Sequence, residues 1–226
     1  VIELRALLAW MVLCFPVWAG AAGSVEVCFN YGCQSQAEVE FSEADLADIA
    51  NMLAGAGSAD EERQRLAQAV GRLYALAGLQ SPIHADHRGN YADGGVFGKM
   101  DCIDHSTTTT RLLQMLEARG LMRFHRVAPR ERRTTLALFQ HFSAVIEETA
   151  PPPPAPVPEV VVDDVPVLMA LCDCGDALVA RTPVAPPAEG EPGARFVVDS
   201  WFVEQGEPAV VLPLAEWLDG GGPNVP

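Results

Sequence analysis

Between residues 24 and 30, apolar and polar side chains alternate. Val25, Val27 and Phe29 fall on one side, and this period of two predicts a strand. Residues 37–41 repeat the alternation and predict its hairpin partner. The period then changes. Leu46, Ile49, Ala50 and Leu53 recur at helical spacing behind Ser42-x-x-Asp45, and Gly55 stops the run. Leu66, Ala69, Val70, Leu73 and Tyr74 do the same behind Ser58-x-x-Glu61, as far as Gly78. Residues 79–98 are polar and show no period, and a loop of that length in a compact domain tends to carry function. Residues 107–119 predict a third helix, with Leu112, Leu113 and Leu116 on one face and Gly120 after it.

The second half of the chain reads as strands. In 121–127, Leu121, Arg123, His125 and Val127 alternate with Met122, Phe124 and Arg126. Residues 128–134 predict a polar turn, and 135–147 a longer strand carrying His141. A further strand is predicted over 195–202, with Asp199 inside it, followed by extended chain at 210–212 and a short helix at 213–218. Pro151-Pro152-Pro153-Pro154-Ala155-Pro156-Val157-Pro158 cannot lie inside a sheet, because proline has no N–H to donate. It reads as an extended spacer. Together with the loose stretch 183–193 it marks an insertion over about residues 148–193, within which 160–181 predicts a small hairpin.

Residues 1–22 read as a signal peptide. Arg5 precedes the apolar run 6–18, Pro16 lies near its end, and Ala19-Gly20-Ala21 offers small residues for cleavage. The run is short of the ~20 residues a spanning helix needs. The expectation is an exported protein, periplasmic or secreted, with one domain over 23–226. Hydrophobic residues make up 49% of the 226, enough for a sizeable core. The formal charge of −15 argues against nucleic acid and against anionic membrane surfaces, so membrane contact is expected only through the targeting segment. Arg119, Arg123, Arg126, Arg130, Arg132 and Arg133 crowd together and read as a solvated strand edge and turn.

Of six cysteines, Cys14 falls in the targeting segment. Cys28 and Cys33 flank the turn signal Asn30-Tyr31-Gly32, which suits a local disulfide in an oxidising compartment. Cys172-Asp173-Cys174 reads as a strained bridge, two thiols or half a metal site. The odd remainder leaves a free thiol, for which Cys102 is the candidate.

Cys102 stands where the glycine-rich loop ending at Gly98 meets the helix. A helix N-terminus carries partial positive charge and unpaired N–H groups, which favour thiolate. Asp101 and Asp104 oppose that, since nearby carboxylates raise a thiol pKa. Cys102, His141 and Asp199 follow one another as nucleophile, base and orienting carboxylate, the set that thiol catalysis requires. Backbone N–H groups at the helix start, including that of Cys102, would serve as an oxyanion hole. His105 lies three residues past Cys102 and reads as a helix-cap residue or a support behind the site. His125, on the arginine-rich strand, reads as surface. Trp201 reads as packing that shields the His141–Asp199 pair from water. His84-Ala85-Asp86-His87 reads as solvated loop in preference to a metal site, and no cofactor is expected.

Met100-Asp101-Cys102-Ile103-Asp104, His141-Phe142-Ser143-Ala144-Val145 and Val197-Val198-Asp199-Ser200-Trp201-Phe202, in that order, resemble the motifs of the transglutaminase-like superfamily. The chain is similar to its bacterial transglutaminase-like cysteine proteinases over about residues 90–147 and 194–203. The resemblance implies an α+β fold with a transglutaminase-like or papain-like core, the cysteine helix packed on an antiparallel sheet. It carries over Cys102 as nucleophile, His141 as base and Asp199 as orienting group. The insertion between His141 and Asp199 departs from the family's tight hairpin. The expected activity is hydrolysis or acyl transfer at amide or peptide bonds of a peptide or protein substrate. The alternatives are a non-catalytic periplasmic binding or assembly module on the same fold, and a thiol-disulfide or metal-handling protein built on Cys172 and Cys174.

Overall fold

The computed structural model describes residues 23–89, 93–135, 139–150 and 189–223. The expected targeting segment, the proline run, the hairpin expected over 160–181, and Cys172 and Cys174 lie outside the described residues. The fold is α+β. Strands β1 (Gly23–Phe29) and β2 (Ser35–Phe41) form an antiparallel hairpin. Helices α1 (Glu43–Ala54) and α2 (Ala59–Gly78) follow, then a 3-10 turn at Pro82–Ala85 and helix α3 (Cys102–Ala118). Strands β3 (His125–Thr135), β4 (Phe139–Glu148), β5 (Arg195–Asp199) and β6 (Val210–Pro213) form one antiparallel sheet in that order, and the short α4 (Leu214–Leu218) comes last. Among the described residues, no helix is long and apolar enough to cross a membrane.

The helices start where capping chemistry places them. Ser42 accepts from the Asp45 N–H while the Asp45 carboxylate accepts from that of Ser42, a closed capping box worth about 1 kcal/mol. Ser58 caps α2 through the Glu61 N–H. Helix α3 lies between the hairpin and the four-stranded sheet, touching β1 on one side and β3 and β4 on the other. Its Leu112, Leu113 and Leu116 are fully buried, each burial worth ~1.5–3 kcal/mol. Alternation along the strands divides the sheet's faces. Ala144, Ile146, Phe196 and Val198 join the main core, while Val145 and Val197 pack with Trp217 of α4 on the opposite face.

Three sequence expectations need correction. The strand expected at 121–127 begins at His125, with Leu121 and Met122 instead packed against the main core. The turn expected over 128–134 is strand, and β3 runs through it. Its pairing with β4 shifts register between Ala128 and Glu131, so Pro129, which has no N–H, falls at the irregularity. Beyond the shift, charged side chains decorate an edge strand, which looks like a turn when only polarity is read. The strand expected over 195–202 stops at Asp199, where Ser200, Trp201 and Phe202 turn away.

Strands β4 and β5 pair from Ala144↔Val198 to Glu147↔Arg195. The ladder continues through the Glu148 N–H to the Ala194 carbonyl and the Gly193 N–H to the Glu148 carbonyl, 2.7 Å each. The chain therefore leaves after Glu148 and returns at Gly193 at adjoining points of one antiparallel pair.

The turn joining β1 to β2 is unusual. Asn30, Tyr31, Gly32 and Cys33 all have positive φ, between 58° and 68°. Left-handed backbone costs a non-glycine residue about 1–2 kcal/mol, with asparagine the most tolerant. A disulfide between Cys28 and Cys33 closes this turn.

Candidate functional site

Cys102 is the first residue of α3 and partly exposed, the one free cysteine among the described residues. Its neighbours form a second capping box. Asp101 accepts from the N–H groups of Ile103 and Asp104 at 3.0 and 2.9 Å, and Asp104 returns a bond from the Asp101 N–H at 3.1 Å. The left-handed turn closes over both carboxylates. Tyr31 and Cys33 donate backbone N–H groups to Asp104 at 2.8 and 2.6 Å, and Gly32 donates to Asp101 at 2.9 Å. Burial, helped by the Asp101 charge, pushes the Asp104 carboxyl up to about 6 even so.

The loop before Cys102 is held as closely. Gly98 has φ +90°, and a Cβ there would overlap the Pro82 carbonyl, so both backbone shape and space demand glycine. Lys99 is buried in an ion pair with Asp93 at 3.0 Å.

The Cys102 thiol donates to the Gln140 carbonyl at 3.8 Å, which sets it against the stretch of β4 that carries His141. This stretch runs past the end of the β4–β5 pairing at Ala144. Burial pushes the thiol up to about 11, and the Asp101 and Asp199 carboxylates add to it. The backbone N–H groups of Phe142 and of Cys102 itself work in the opposite direction. At neutral pH the sulfur therefore rests as thiol, because burial, with the two carboxylates, outweighs the two backbone N–H groups.

His141 is buried, and its Nε2 lies 2.7 Å from an Asp199 carboxylate oxygen. Asp199 also accepts from the Trp217 indole N–H at 3.1 Å and the Trp201 backbone N–H at 3.2 Å. Because Asp199 can only accept, Nε2 carries the proton and Nδ1 is the basic nitrogen. Nδ1 makes no hydrogen bond to another described residue. Three aromatic rings surround the imidazole: Trp201, Phe202 and Trp217, at 4.9, 5.2 and 5.6 Å between centroids.

The other histidines lie elsewhere. His105 has both ring nitrogens engaged, Nδ1 with Ser200 Oγ and Nε2 with Asp86, each at 2.9 Å. Thr109 and Tyr74 extend this buried network, which ties α2 and α3 to the turn after Asp199. Asp86, read from the sequence as solvated loop, is buried in it and also accepts from the Met100 N–H at 2.8 Å. His87 of the same stretch is exposed beside Glu204. His125, read as surface, is buried. Its Nδ1 lies 2.9 Å from Glu62, and Arg63, which also pairs with Glu148 at 3.0 Å, lies 3.4 Å from its Nε2. Sequence reasoning missed Glu62, Ser200 and Trp217. Each acts across a long stretch of chain, which no local spacing signals.

Cys28, Cys33 and Asp104 bring two sulfurs and an oxygen within 4.8 Å of one another. Both sulfurs are spent on the disulfide, so the cluster offers no thiolate to a metal ion. Set against protein-family models, curated proteins and solved structures, the chain matches none of them.

Proposed function

We propose that this chain is an exported thiol hydrolase or acyltransferase acting on amide or peptide bonds, built on a transglutaminase-like core. The observation that carries the reading is the His141–Asp199 pair at 2.7 Å, with His141 one residue along β4 from the Gln140 carbonyl that the thiol of Cys102, the first residue of α3, meets. The thiol proton passes to His141 Nδ1 as the sulfur attacks the substrate carbonyl carbon. Asp199 holds the ring and stabilises the imidazolium that results. The Cys102 N–H, at the first turn of α3, faces the negative charge that develops on the carbonyl oxygen. The imidazolium then protonates the departing amine, leaving a thioester. Water or a second amine, deprotonated by the same nitrogen, releases the acyl group. A thiol held near 11 suits general-base activation at the moment of attack better than a standing thiolate–imidazolium pair. A disulfide suits an oxidising compartment.

The raised thiol pKa also favours a second reading, a non-catalytic binding module. Alkylation of Cys102 by iodoacetamide, mapped by mass spectrometry across pH, separates the two. For the enzyme, His141→Ala slows labelling about tenfold or more at neutral pH. Asp199→Asn slows it less, and Asp101→Asn speeds it by removing a charge that raises the pKa. Slow labelling that none of the three alters supports the binding module and removes the enzyme.

A further inference from the structure

We propose that the disulfide-closed turn Cys28–Cys33 is the positioning element for Cys102, and that its reduction by a dithiol unseats that thiol. The inference rests on the reading of Cys102 given above. The turn touches the nucleophile's surroundings on both sides. Tyr31, Gly32 and Cys33 aim successive N–H groups at Asp104 and Asp101, the two carboxylates of the box around Cys102. Asn30 holds the preceding loop, donating its N–H to the Lys99 carbonyl at 2.7 Å and accepting from the Gly98 N–H at 2.9 Å. The Tyr31 hydroxyl donates to Asp93 at 2.5 Å, and Asp93 pairs with Lys99. Farther along α3, the Cys28 N–H donates to the Thr108 hydroxyl at 2.9 Å.

Tyr31 and Cys33 adopt left-handed backbone that their side chains disfavour. Successive N–H groups in a concave turn make an anion cradle, and here the anions are the chain's own. The cradle exists only while those φ angles are held, and the Cys28–Cys33 bond closes the loop that holds them. Opening that bond returns the turn to ordinary backbone and removes three donors from the carboxylates beside Cys102.

The surroundings of the bond suit exchange. Cys28 is fully buried and Cys33 partly exposed, so an incoming thiolate reaches the Cys33 sulfur. Arg111 Nη1 lies 3.5 Å from the Cys28 sulfur, where its charge stabilises a departing thiolate. The reductant's thiolate attacks Cys33 Sγ, the S–S bond breaks, and Cys28 leaves as thiolate and takes up a proton. The reductant's second thiolate attacks its own sulfur in the mixed disulfide and releases Cys33. Two electrons pass to the chain, and the dithiol becomes a disulfide.

Hydrogen exchange on the full chain tests this. It compares the oxidised form, the dithiothreitol-reduced form and a Cys28→Ser/Cys33→Ser variant, which excludes effects from Cys172 and Cys174. The expected result is roughly tenfold faster exchange of amides 98–106 in both open forms, with β4 and β5 amides unchanged. Unchanged protection of 98–106 overturns the proposal. If the open forms lose structure throughout, Asp104→Asn with the disulfide intact decides. It removes one acceptor from the cradle, so exchange at 98–106 rises several-fold, and no rise overturns the proposal. Alkylation of Cys102 then separates this inference from the reading beneath it. A His141→Ala effect present when oxidised and lost when open supports both. The same effect persisting undiminished in the open forms overturns the positioning role and leaves the enzyme reading intact. A response in exchange with no His141→Ala effect in any form keeps the positioning role and removes the enzyme.

Discussion

His125 and His141 sit at opposite ends of the β3–β4 ladder, opposite Glu148 and Arg133 respectively, and each meets a buried carboxylate. At the His125 end, Glu62 accepts from two backbone N–H groups and from Nδ1, while Arg63 takes up the space against Nε2. Arg63 is itself held by Glu148, Asp60 and Glu189 and stacks on Phe196 at 3.9 Å. At the His141 end the carboxylate side is equally complete, but the other ring nitrogen makes no hydrogen bond among the described residues. The contrast gives a rule for this fold. A buried imidazole committed at both nitrogens serves cohesion, as His105 does between Asp86 and Ser200. One committed at a single nitrogen keeps a proton acceptor in reserve.

The largest effect is expected where commitment is complete. Glu62→Ala leaves His125 Nδ1 and the N–H groups of Arg123 and Phe124 without their acceptor, and is expected to lower unfolding free energy by about 3–5 kcal/mol in urea titration. A loss below about 1 kcal/mol would mean that water replaces the carboxylate and that the His125 end is not closed.

Exchanging each imidazole for glutamine sharpens the contrast. His125→Gln is expected to cost about 1–3 kcal/mol and to leave the rate and pH profile of Cys102 alkylation unchanged. His141→Gln is expected to stay within about 1 kcal/mol of the parent in stability while slowing that alkylation about tenfold or more. Equal slowing by both variants would erase the distinction.

The smallest effect lies in how stability depends on pH. Hydrogen bonds from His125, Arg123 and Phe124 outweigh burial and hold the Glu62 carboxyl below its usual value. Its contribution is thus present above about 4.5 and lost as pH falls through the lower folded value. The Cys102 thiol is raised, so its contribution is complete below about 9 and lost as pH rises through about 11. Glu62→Gln should flatten the acid limb of a stability–pH curve. Cys102→Ser should flatten the alkaline limb by about 1 kcal/mol, discounted for partial exposure. An alkaline limb indifferent to Cys102→Ser would show a thiol that water already solvates.

The parts of the fold legible in the sequence are those specified locally. The β1–β2 alternation and the Ser42 and Ser58 caps are written within a few residues of where they act. Strand β3 was hidden by Pro129 and a charged edge, features that carry the same polarity as a turn. The burial of His125 was illegible because its partner is Glu62, 63 residues upstream on another element. Asp86 was missed for the same reason, since His105 lies 19 residues on, in α3. His141 and Asp199 are 58 residues apart, yet both are legible in the sequence. Their residue types form a chemical set with Cys102, and each falls on a strand predicted from its own neighbours. The left-handed turn around Tyr31 left no trace beyond a turn signal, because asparagine and glycine announce a bend and not its hand.

The Trp217 indole on Asp199 has a consequence for the timing of synthesis. Arg133 binds the carbonyls of Trp217 and Gly221 at 2.7 Å each, so β3 holds this last helix in place. Cys102 and His141 leave the ribosome long before residue 217 does. Until α4 arrives, Asp199 lacks one of its donors and the imidazole one of its three aromatic walls. The growing chain thus carries the His141–Asp199 pair in an unfinished setting, which α4 completes.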